Sequence, residues 1–189
     1  MNYKFAAGAV GAVILIAGLQ IYQWHAENTN PPFTNRLTSE ETTPITIYQP
    51  QQVSNATAYT QLTVYTATGK KVVLNAATTP LLFEAYWCPH CQRTLVLLNK
   101  KRAQLRHFPT LISTGFVPGT SLQSAVHLTD EEATAFGIHH VQTYYLLADW
   151  HSLVPEFPML IFRPAHGQVE KLVGEHTFSV WQQAINHSP

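Results

Sequence analysis

Two cysteines, Cys88 and Cys91, are the only ones in this chain of 189 residues, and two residues separate them. A Cys-x-x-Cys pair can close a disulfide across one helical turn or supply part of a metal site. Two thiols cannot build a disulfide scaffold or a four-thiolate zinc or iron-sulfur site. The spacing therefore favours a redox-active disulfide, and zinc or copper binding completed by histidine, or two inert buried thiols, are the alternatives.

The residues around the pair predict that the first thiol is activated. An apolar run at 81–86 is typical of a central strand, and a helix is predicted to begin at Pro89, which suits a first helical turn. Cys88 would then lie at the helix N-terminus, where unpaired N–H groups and the helix dipole favour a thiolate. Cys91 would lie one turn deeper. We expect Cys88 to react with outside sulfur and Cys91 to resolve the mixed disulfide.

His90 lies between the cysteines and bears on the direction of electron flow. Its side chain can donate a hydrogen bond to the Cys88 thiolate or, when protonated, form an ion pair with it. Either contact stabilises the reduced form and makes the disulfide a stronger oxidant. We therefore expect the protein to act as an oxidase, with a reductase as the alternative. The other interpretation of His90 is a solvent-exposed spacer that has no effect on the thiols.

The segment 5–22 is apolar with one polar interruption. Its eighteen residues would cross most of a bilayer core of about 30 Å at about 1.5 Å per residue. No clean small-x-small cleavage site follows, and Tyr22 and Trp24 suit an aromatic belt at the membrane interface. The pattern favours a retained anchor; a cleaved export signal is the main alternative, and a buried helix of a soluble fold is the third.

The flanking charges predict the orientation of this segment. Lys4 lies in the stub 1–4, which we expect in the cytoplasm, and no Lys or Arg follows the apolar segment before Arg36. The bulk of the chain is therefore expected outside the cytoplasm, where disulfides persist. The stretch 23–58, rich in Thr, Asn, Gln, Pro and Glu, is predicted to be a flexible tether to a globular domain at 59–189.

The formal net charge of the whole chain is zero at pH 7, and only 12% of its residues are charged. This balance gives no basic surface for a nucleic acid, so we exclude nucleic acid as a partner. Alternating strand-like and helix-like stretches after residue 58 predict an α/β domain with a mixed central sheet flanked by helices. Strands are predicted at 61–65, 71–74, 81–86, 110–113, 143–147, 158–162 and 169–173, and helices at 89–106, from 129 to 137, at 149–153 and at 179–186.

The run Phe-Glu-Ala-Tyr-Trp-Cys-Pro-His-Cys at 83–91 resembles the active-site strand and helix start of the thioredoxin superfamily. Its Pro-His dipeptide resembles that of the DsbA-type oxidases, whereas the N-terminal anchor and the arm at 69–74 resemble the membrane-anchored TlpA/ResA-like group. The stretch from Phe157 to Phe162 and the hairpin that follows it are similar to the cis-proline strand and closing hairpin of the superfamily.

The resemblance implies a thioredoxin-like fold and a membrane-tethered thiol-disulfide oxidoreductase. Such a protein needs no cofactor beyond its own disulfide. It acts on exported proteins with thiols or disulfides, and a redox partner recharges it. The residues that would match are the nucleophile Cys88, the resolving Cys91 and the supporting Trp87, Pro89 and His90.

Two further residues match the substrate-binding region of the family. The resemblance implies a cis peptide bond before Pro158 and places the backbone of Phe157 beside an extended substrate peptide. Phe157 is larger than the family's usual residue, so its ring would narrow the cleft or supply an apolar contact. Without the family, Pro158 is only a proline that suits the first residue of a strand.

The sequence departs from the thioredoxin pattern at the buried acid that serves the resolving thiol. Leu82 occupies that position, and Glu84 lies two residues along the predicted strand, on the same face. Glu84 is either the substitute proton acceptor or a glutamate in contact with solvent. A copper carrier that uses the cysteines with His139 or His140 is the remaining alternative, although copper-delivering relatives space their cysteines by three residues.

Overall fold

The computed structural model describes residues 29–40, 42–147 and 150–188. The chain divides into two compact units, Met1–Pro31 and Pro32–Pro189. The predicted stub 1–4 and apolar segment 5–22 lie outside the described residues. Within the described ranges, no helix is long and apolar enough to cross a membrane.

One mixed sheet forms the centre of the second unit. Its strands, in spatial order, are β1, β8, β7, β4, β5, β6, β2 and β3. β4 is parallel to β5 and β5 to β6, whereas the other neighbouring strands are antiparallel. The strands are β1 Gln51–Gln52, β2 Leu62–Tyr65, β3 Lys71–Leu74, β4 Leu81–Glu84, β5 Thr110–Ser113, β6 Thr143–Tyr145, β7 Met159–Phe162 and β8 Glu170–Val173.

Helices flank this sheet, so the α/β architecture predicted from the sequence is confirmed and is consistent with a thioredoxin-like fold. α2 begins directly after Cys88, with a proline in its first turn. A short 3-10 turn, Arg102–Gln104, follows it. The helices are α1 Ala56–Thr60, α2 Pro89–Lys100, α3 Leu122–Ala135, α4 Trp150–Leu153 and α5 Phe178–Asn186.

The central strand β4 is buried on both faces, because the residues of a strand alternate between the two sides of the sheet. Leu81 and Phe83 pack in one core cluster, together with Met159 of the neighbouring β7. Leu82 packs in the other, against Leu95 of α2. The strand that precedes the cysteines is therefore held between two layers of apolar side chains, which fixes the position of its C-terminal end.

Helix α3 begins seven residues earlier than the predicted start at Thr129. Ser121 is its N-cap, and the Ser121 side chain accepts a hydrogen bond from the backbone N–H of Ser124 at 3.1 Å. Thr129 instead lies buried within the helix and donates to the Ala125 carbonyl at 3.0 Å. The predicted start rested on the capping-box spacing of Thr129 and Glu132, but Ser121 further upstream caps the helix instead.

The packed region begins near Pro32, whereas the sequence predicted a flexible tether over 23–58. The Ile45 N–H donates to Glu175 O at 2.8 Å, and Thr177 N–H donates to Ile45 O at 3.0 Å. β1, which lies in the same segment, pairs with β8 and covers the outer side of that strand. The physical reason is that an exposed strand edge presents unpaired N–H and C=O groups, which this segment satisfies.

The same segment also contacts the start of α2. The Gln92 side chain accepts a hydrogen bond from Arg36 N–H at 2.6 Å and donates one to Thr34 O at 3.0 Å. Gln92 is fully buried as a result. Residues 32–58 therefore belong to the domain that carries the cysteines.

Candidate active site

The fold places both cysteines at the junction between β4 and α2. Cys88 is the N-cap of α2 and is 5% exposed, whereas Cys91 lies in the first turn and is fully buried. Both are free thiols. The Ala85 N–H lies 3.4 Å from Cys91 Sγ and donates to it, and Cys88 N–H donates to Ala85 O at 2.9 Å. A rigid strand end and a helix start thus hold the two sulfurs together.

The two thiols differ in acidity. The pKa of Cys88 is lowered to about 6, chiefly because the Cys91 thiol donates a hydrogen bond to its sulfur; burial opposes this shift. The backbone N–H groups of Cys91 and His90 and the charge of the His90 side chain add to the lowering. Burial raises the pKa of Cys91, and its hydrogen bond to Cys88 adds to the rise. At neutral pH one sulfur is therefore a thiolate, and the other keeps its proton.

His90 belongs to a network of charged side chains beside the cysteines. Its Nδ1 lies 2.9 Å from Glu175 Oε2 and 2.9 Å from Arg93 Nη2, and its Nε2 lies 3.6 Å from Glu40 Oε2. Arg93 also donates to both carboxylate oxygens of Glu175. Against the effect of burial, the hydrogen bonds from Arg93 and His90 lower the pKa of Glu175. An anionic Glu175 therefore holds the imidazole of His90 beside Arg93 at the start of α2.

Two aromatic side chains, Trp87 and Phe157, pack against the cysteines. The Trp87 Nε1–H donates to Gly115 O at 2.9 Å, and the Trp87 ring meets the Phe157 ring edge to face at 6.0 Å. Phe157 also packs against the cluster of Ala85 and the two cysteines. The large side chain at 157 thus supplies an apolar contact to the sulfurs.

The peptide bond between Phe157 and Pro158 is cis, as the resemblance implied. Pro158 is buried and directly precedes β7, the antiparallel neighbour of β4. The register pairs Met159 with Phe83, so the proline lies close to the point where β4 leads into the cysteines. The structure therefore brings Cys88, Cys91, Phe157 and Pro158 together near the C-terminal end of β4.

Glu84 is 1% exposed, so the interpretation of Glu84 as a glutamate in contact with solvent is wrong. It is the last residue of β4 and faces the same side as Leu82, toward the helices. Burial raises its pKa to about 7, and the neighbouring Ser113 hydroxyl opposes that shift. A carboxyl group that gains or loses its proton near neutral pH thus lies behind Cys91.

Sequence reasoning missed three residues of the site. Arg93 lies three residues after His90 and so on the same face of α2, which is a signal that could have identified it. Glu175 and Gly115 carry no such signal, because chain segments far from the cysteines in sequence bring them to the site.

The copper alternative placed His139 or His140 beside the cysteines. The backbone carbonyls of both histidines accept hydrogen bonds from Arg102, beyond the C-terminal end of α2. Cys88 lies at the N-terminal end of that helix. Within the described part of the chain, no group of three or more His, Cys, Asp or Glu residues is placed to hold a metal ion.

No protein-family model matches the chain, and no curated protein matches its sequence. Among solved structures, StoA from Bacillus subtilis is similar, with 14% identity and a TM-score of 0.42 over 65% of this chain and 93% of that one. The exposed lipoprotein thioredoxin of Streptococcus pneumoniae strain TIGR4 is similar with 15% identity and a TM-score of 0.37, over 66% of this chain and 96% of that one.

The acidity of Cys88 can be measured from its alkylation rate in the reduced protein. We expect the rate of reaction with iodoacetamide to reach half its maximum near pH 6, because only the thiolate reacts. Cys91→Ala should raise this midpoint, since it removes the main hydrogen-bond donor, and Cys91→Ser should raise it less because a hydroxyl remains. A wild-type midpoint near the ordinary value of 9.0 would contradict this picture of the site.

The packing beside Phe157 can be measured with two glycine substitutions. A Cβ on Gly115 would lie 2.8 Å from Ala85 Cβ and 3.3 Å from Phe157 Cζ, whereas one on Gly119 would meet nothing within 4 Å. The two glycines have similar positive φ angles, +77° and +83°, so backbone strain of about 1–2 kcal/mol is common to both variants.

We expect Gly115→Ala to lower the free energy of unfolding by about 1–3 kcal/mol more than Gly119→Ala does, because it also overpacks the site. Denaturant unfolding measures the difference. Gly115→Ala should also change the fluorescence of the reduced protein through Trp87. Equal losses of stability in the two variants would show that Phe157 and Ala85 are not packed against Gly115.

Proposed function

We propose that this protein is a thiol-disulfide oxidoreductase that exchanges a disulfide between Cys88 and Cys91 with the thiols of exported proteins, and that it acts mainly as an oxidase. The difference in acidity between the two sulfurs carries the proposal. Cys88 is a thiolate at neutral pH with its pKa at about 6, and Cys91 is a buried thiol one turn away. A pair that only cross-linked the fold would need no such difference.

The oxidase reaction begins when a substrate thiolate attacks Cys88 Sγ in the disulfide form. The bond between the two cysteines breaks, Cys91 leaves as a thiolate and takes up a proton, and a mixed disulfide joins Cys88 to the substrate. A second substrate thiolate then attacks the substrate sulfur of that disulfide. Cys88 leaves as a thiolate, and two electrons have passed from the substrate to the protein.

The low pKa of Cys88 favours the second step, because a more acidic thiol is a better leaving group. It also stabilises the reduced form. Each unit of pKa corresponds to about 1.4 kcal/mol, and 1.4 kcal/mol corresponds to about 30 mV in a two-electron couple. The hydrogen bond from Cys91 and the backbone N–H groups at the start of α2 therefore favour a disulfide that oxidises other thiols.

An extended substrate segment would lie along the backbone of Phe157 and Pro158, beside the exchanging sulfur. The rings of Trp87 and Phe157 would supply apolar contact to substrate side chains. The N-terminal segment 5–22 would hold the domain at the outer face of the membrane, and a separate redox partner would remove the two electrons from the reduced pair.

A reductase is the second candidate, and the carboxyl groups around the site favour it. Glu84 and Glu175 place negative charge near the Cys88 thiolate when both are ionised. Repulsion between like charges raises the free energy of the thiolate and so favours the disulfide form of the protein.

The proposed function is tested by following disulfide formation in a reduced, unfolded model protein in a glutathione buffer, alongside the reduction of insulin by dithiothreitol. We expect the wild type to accelerate disulfide formation and Cys88→Ala to lower it to the uncatalysed rate. Cys91→Ala cannot form the internal disulfide and should accumulate a mixed disulfide between Cys88 and glutathione, because no Cys91 thiol remains to displace the glutathione. Absence of exchange in either direction, with stoichiometric copper in the reduced protein, would replace the proposal with a copper carrier.

A further inference from the structure

A cluster of buried polar side chains lies behind the cysteines, on the side of the sheet that faces α2 and α3. Glu84 at the end of β4 is 1% exposed, and Glu132 on α3 is 2% exposed. Ser113 pairs with Glu84 in the register of β4 and β5. Thr129 lies one helical turn before Glu132 and so on the same face of α3. Two carboxyl groups are therefore enclosed together.

The carboxyl groups lack the hydrogen bonds that buried polar groups normally make. The Ser113 and Thr129 hydroxyls lie 2.9 Å apart and bond to each other. Neither oxygen of Glu84, nor Oε1 of Glu132, makes a hydrogen bond of normal geometry within the described residues. Two neighbouring carboxylates cannot both remain ionised without partners in such a place, so one proton must stay on the pair.

A cavity of about 260 Å³ connects this pair with the surface. Glu84 and Glu132 line its inner part, and the exposed residues Asp130 and His140 line it as well. The volume holds several water molecules at about 30 Å³ each, and carboxyl groups supply the polar partners that such water needs. Cys91 lies next to this pair: its Sγ accepts from the N–H of Ala85, the residue that follows Glu84, and the charge of Glu84 raises the pKa of the Cys91 thiol.

We propose that Glu132 completes Glu84 as a carboxyl pair that shares one proton, so that a pair and not a single acid exchanges this proton between the Cys91 thiol and the water of the cavity. The proposal rests on the function proposed above and adds a route for its proton. Glu84 is the member nearer to the cysteines along the chain. Glu132 is a positioning residue that acts through Glu84.

The proton transfer balances in both directions. When the mixed disulfide resolves back, the Cys91 thiol gives its proton to the Glu84 carboxylate, and the Cys91 thiolate attacks Cys88 Sγ. The substrate sulfur leaves as a thiolate, the disulfide re-forms, and the proton passes from the pair to cavity water. When a substrate thiolate attacks the disulfide instead, the pair returns a proton to the Cys91 thiolate and regains one from solvent.

The surroundings of the pair decide which carboxyl group ionises first. The titratable groups that face it are Cys88 and Cys91 from α2, Tyr145 from β6, Asp130 from α3 and His140 from the loop before β6. Burial raises the pKa of Glu84 to about 7. Burial and the charge of Glu84 raise the pKa of Glu132 well above its ordinary value. Glu132 lowers the pKa of Glu84, whereas Glu84 raises the pKa of Glu132, so Glu84 ionises first and the proton stays on Glu132.

The sharing of the proton is tested by a carboxyl-carbon NMR titration of the full chain labelled at glutamate, which requires no enzymatic activity. In the wild type we expect two buried carboxyl groups, with Glu84 titrating near pH 7 and Glu132 titrating well above its ordinary value of 4.5. Glu132→Gln should remove the titration of Glu132 and leave that of Glu84 in place, because the amide N–H can donate to Glu84. Glu132→Leu should raise the pKa of Glu84, because no hydrogen-bond donor remains at position 132.

Glu131→Gln is the matched control, since Glu131 lies next to Glu132 on α3 but is exposed and pairs with His127 at 3.5 Å. It should leave both titrations unchanged. Glu84→Gln should lower the titration of Glu132, because the neighbouring charge is gone. The proposal is overturned if Glu132 titrates near its ordinary value of 4.5, or if the titration of Glu84 is the same in Glu132→Leu as in the wild type.

A kinetic measurement distinguishes this proposal from the proposed function. Glu132→Leu should slow the re-formation of the disulfide between Cys88 and Cys91 at pH 7 by about fivefold, because a rise of about one unit in the pKa of Glu84 lowers its ionised fraction at that pH from about a half to about a tenth. Its alkylation at Cys88 should stay within twofold of the wild type. If the wild type shows no thiol-disulfide exchange, the proposed function is refuted, and the NMR titration still tests the carboxyl pair. If exchange is normal but the titration of Glu84 is the same in Glu132→Leu as in the wild type, only the carboxyl pair is refuted.

Discussion

The hydrogen bond from the Cys91 thiol to the Cys88 sulfur is the contact on which the site depends. It is the largest cause of the low pKa of Cys88, and it exists only while Cys91 keeps its proton. Burial of Cys91 provides that condition. The burial in turn requires α2 to begin directly after Cys88 and β4 to be covered on both faces. The architecture thus converts two equal thiols into a nucleophile and its partner.

The buried carboxyl groups have a cost in stability that depends on pH. The pKa of Glu84 rises from its ordinary value of 4.5 to about 7 in the folded protein, so the folded state binds this proton more tightly than the unfolded chain does. The free energy of unfolding therefore falls as pH rises from about 4.5 through about 7, and this loss persists at higher pH. Such a cost is common where a site needs a charge in a place that packing alone would fill with apolar atoms.

The sequence predicted the parts of the structure that local patterns determine. The apolar run of β4, the proline at the start of α2 and the strands β2 and β3 all follow from neighbouring residues. The end of β4 and the start of α2 together predicted where both cysteines lie. The predicted start of α3 was wrong because Ser121 competes with Thr129 as the N-cap, and only packing decides between such candidates.

Contacts between distant segments could not be predicted. Glu175 reaches His90 and Arg93 from beyond β8, and Glu132 on α3 lies next to Glu84 at the end of β4. The polar composition of 32–58 indicated a free tether, yet its backbone pairs with a sheet edge that the sequence does not reveal. These contacts set the charge around the sulfurs. The chemistry of the pair was therefore predictable in kind, whereas its electrostatic environment was not.

The redox potential of the pair formed by Cys88 and Cys91 tests the central claim most directly. It is measured by equilibrating the protein with glutathione buffers of known potential and counting free thiols by intact mass. A stabilised Cys88 thiolate predicts a potential clearly less negative than about −270 mV, the value of thioredoxin. A potential near or below that value would show that the thiolate is not stabilised over the disulfide, and it would contradict the oxidase direction.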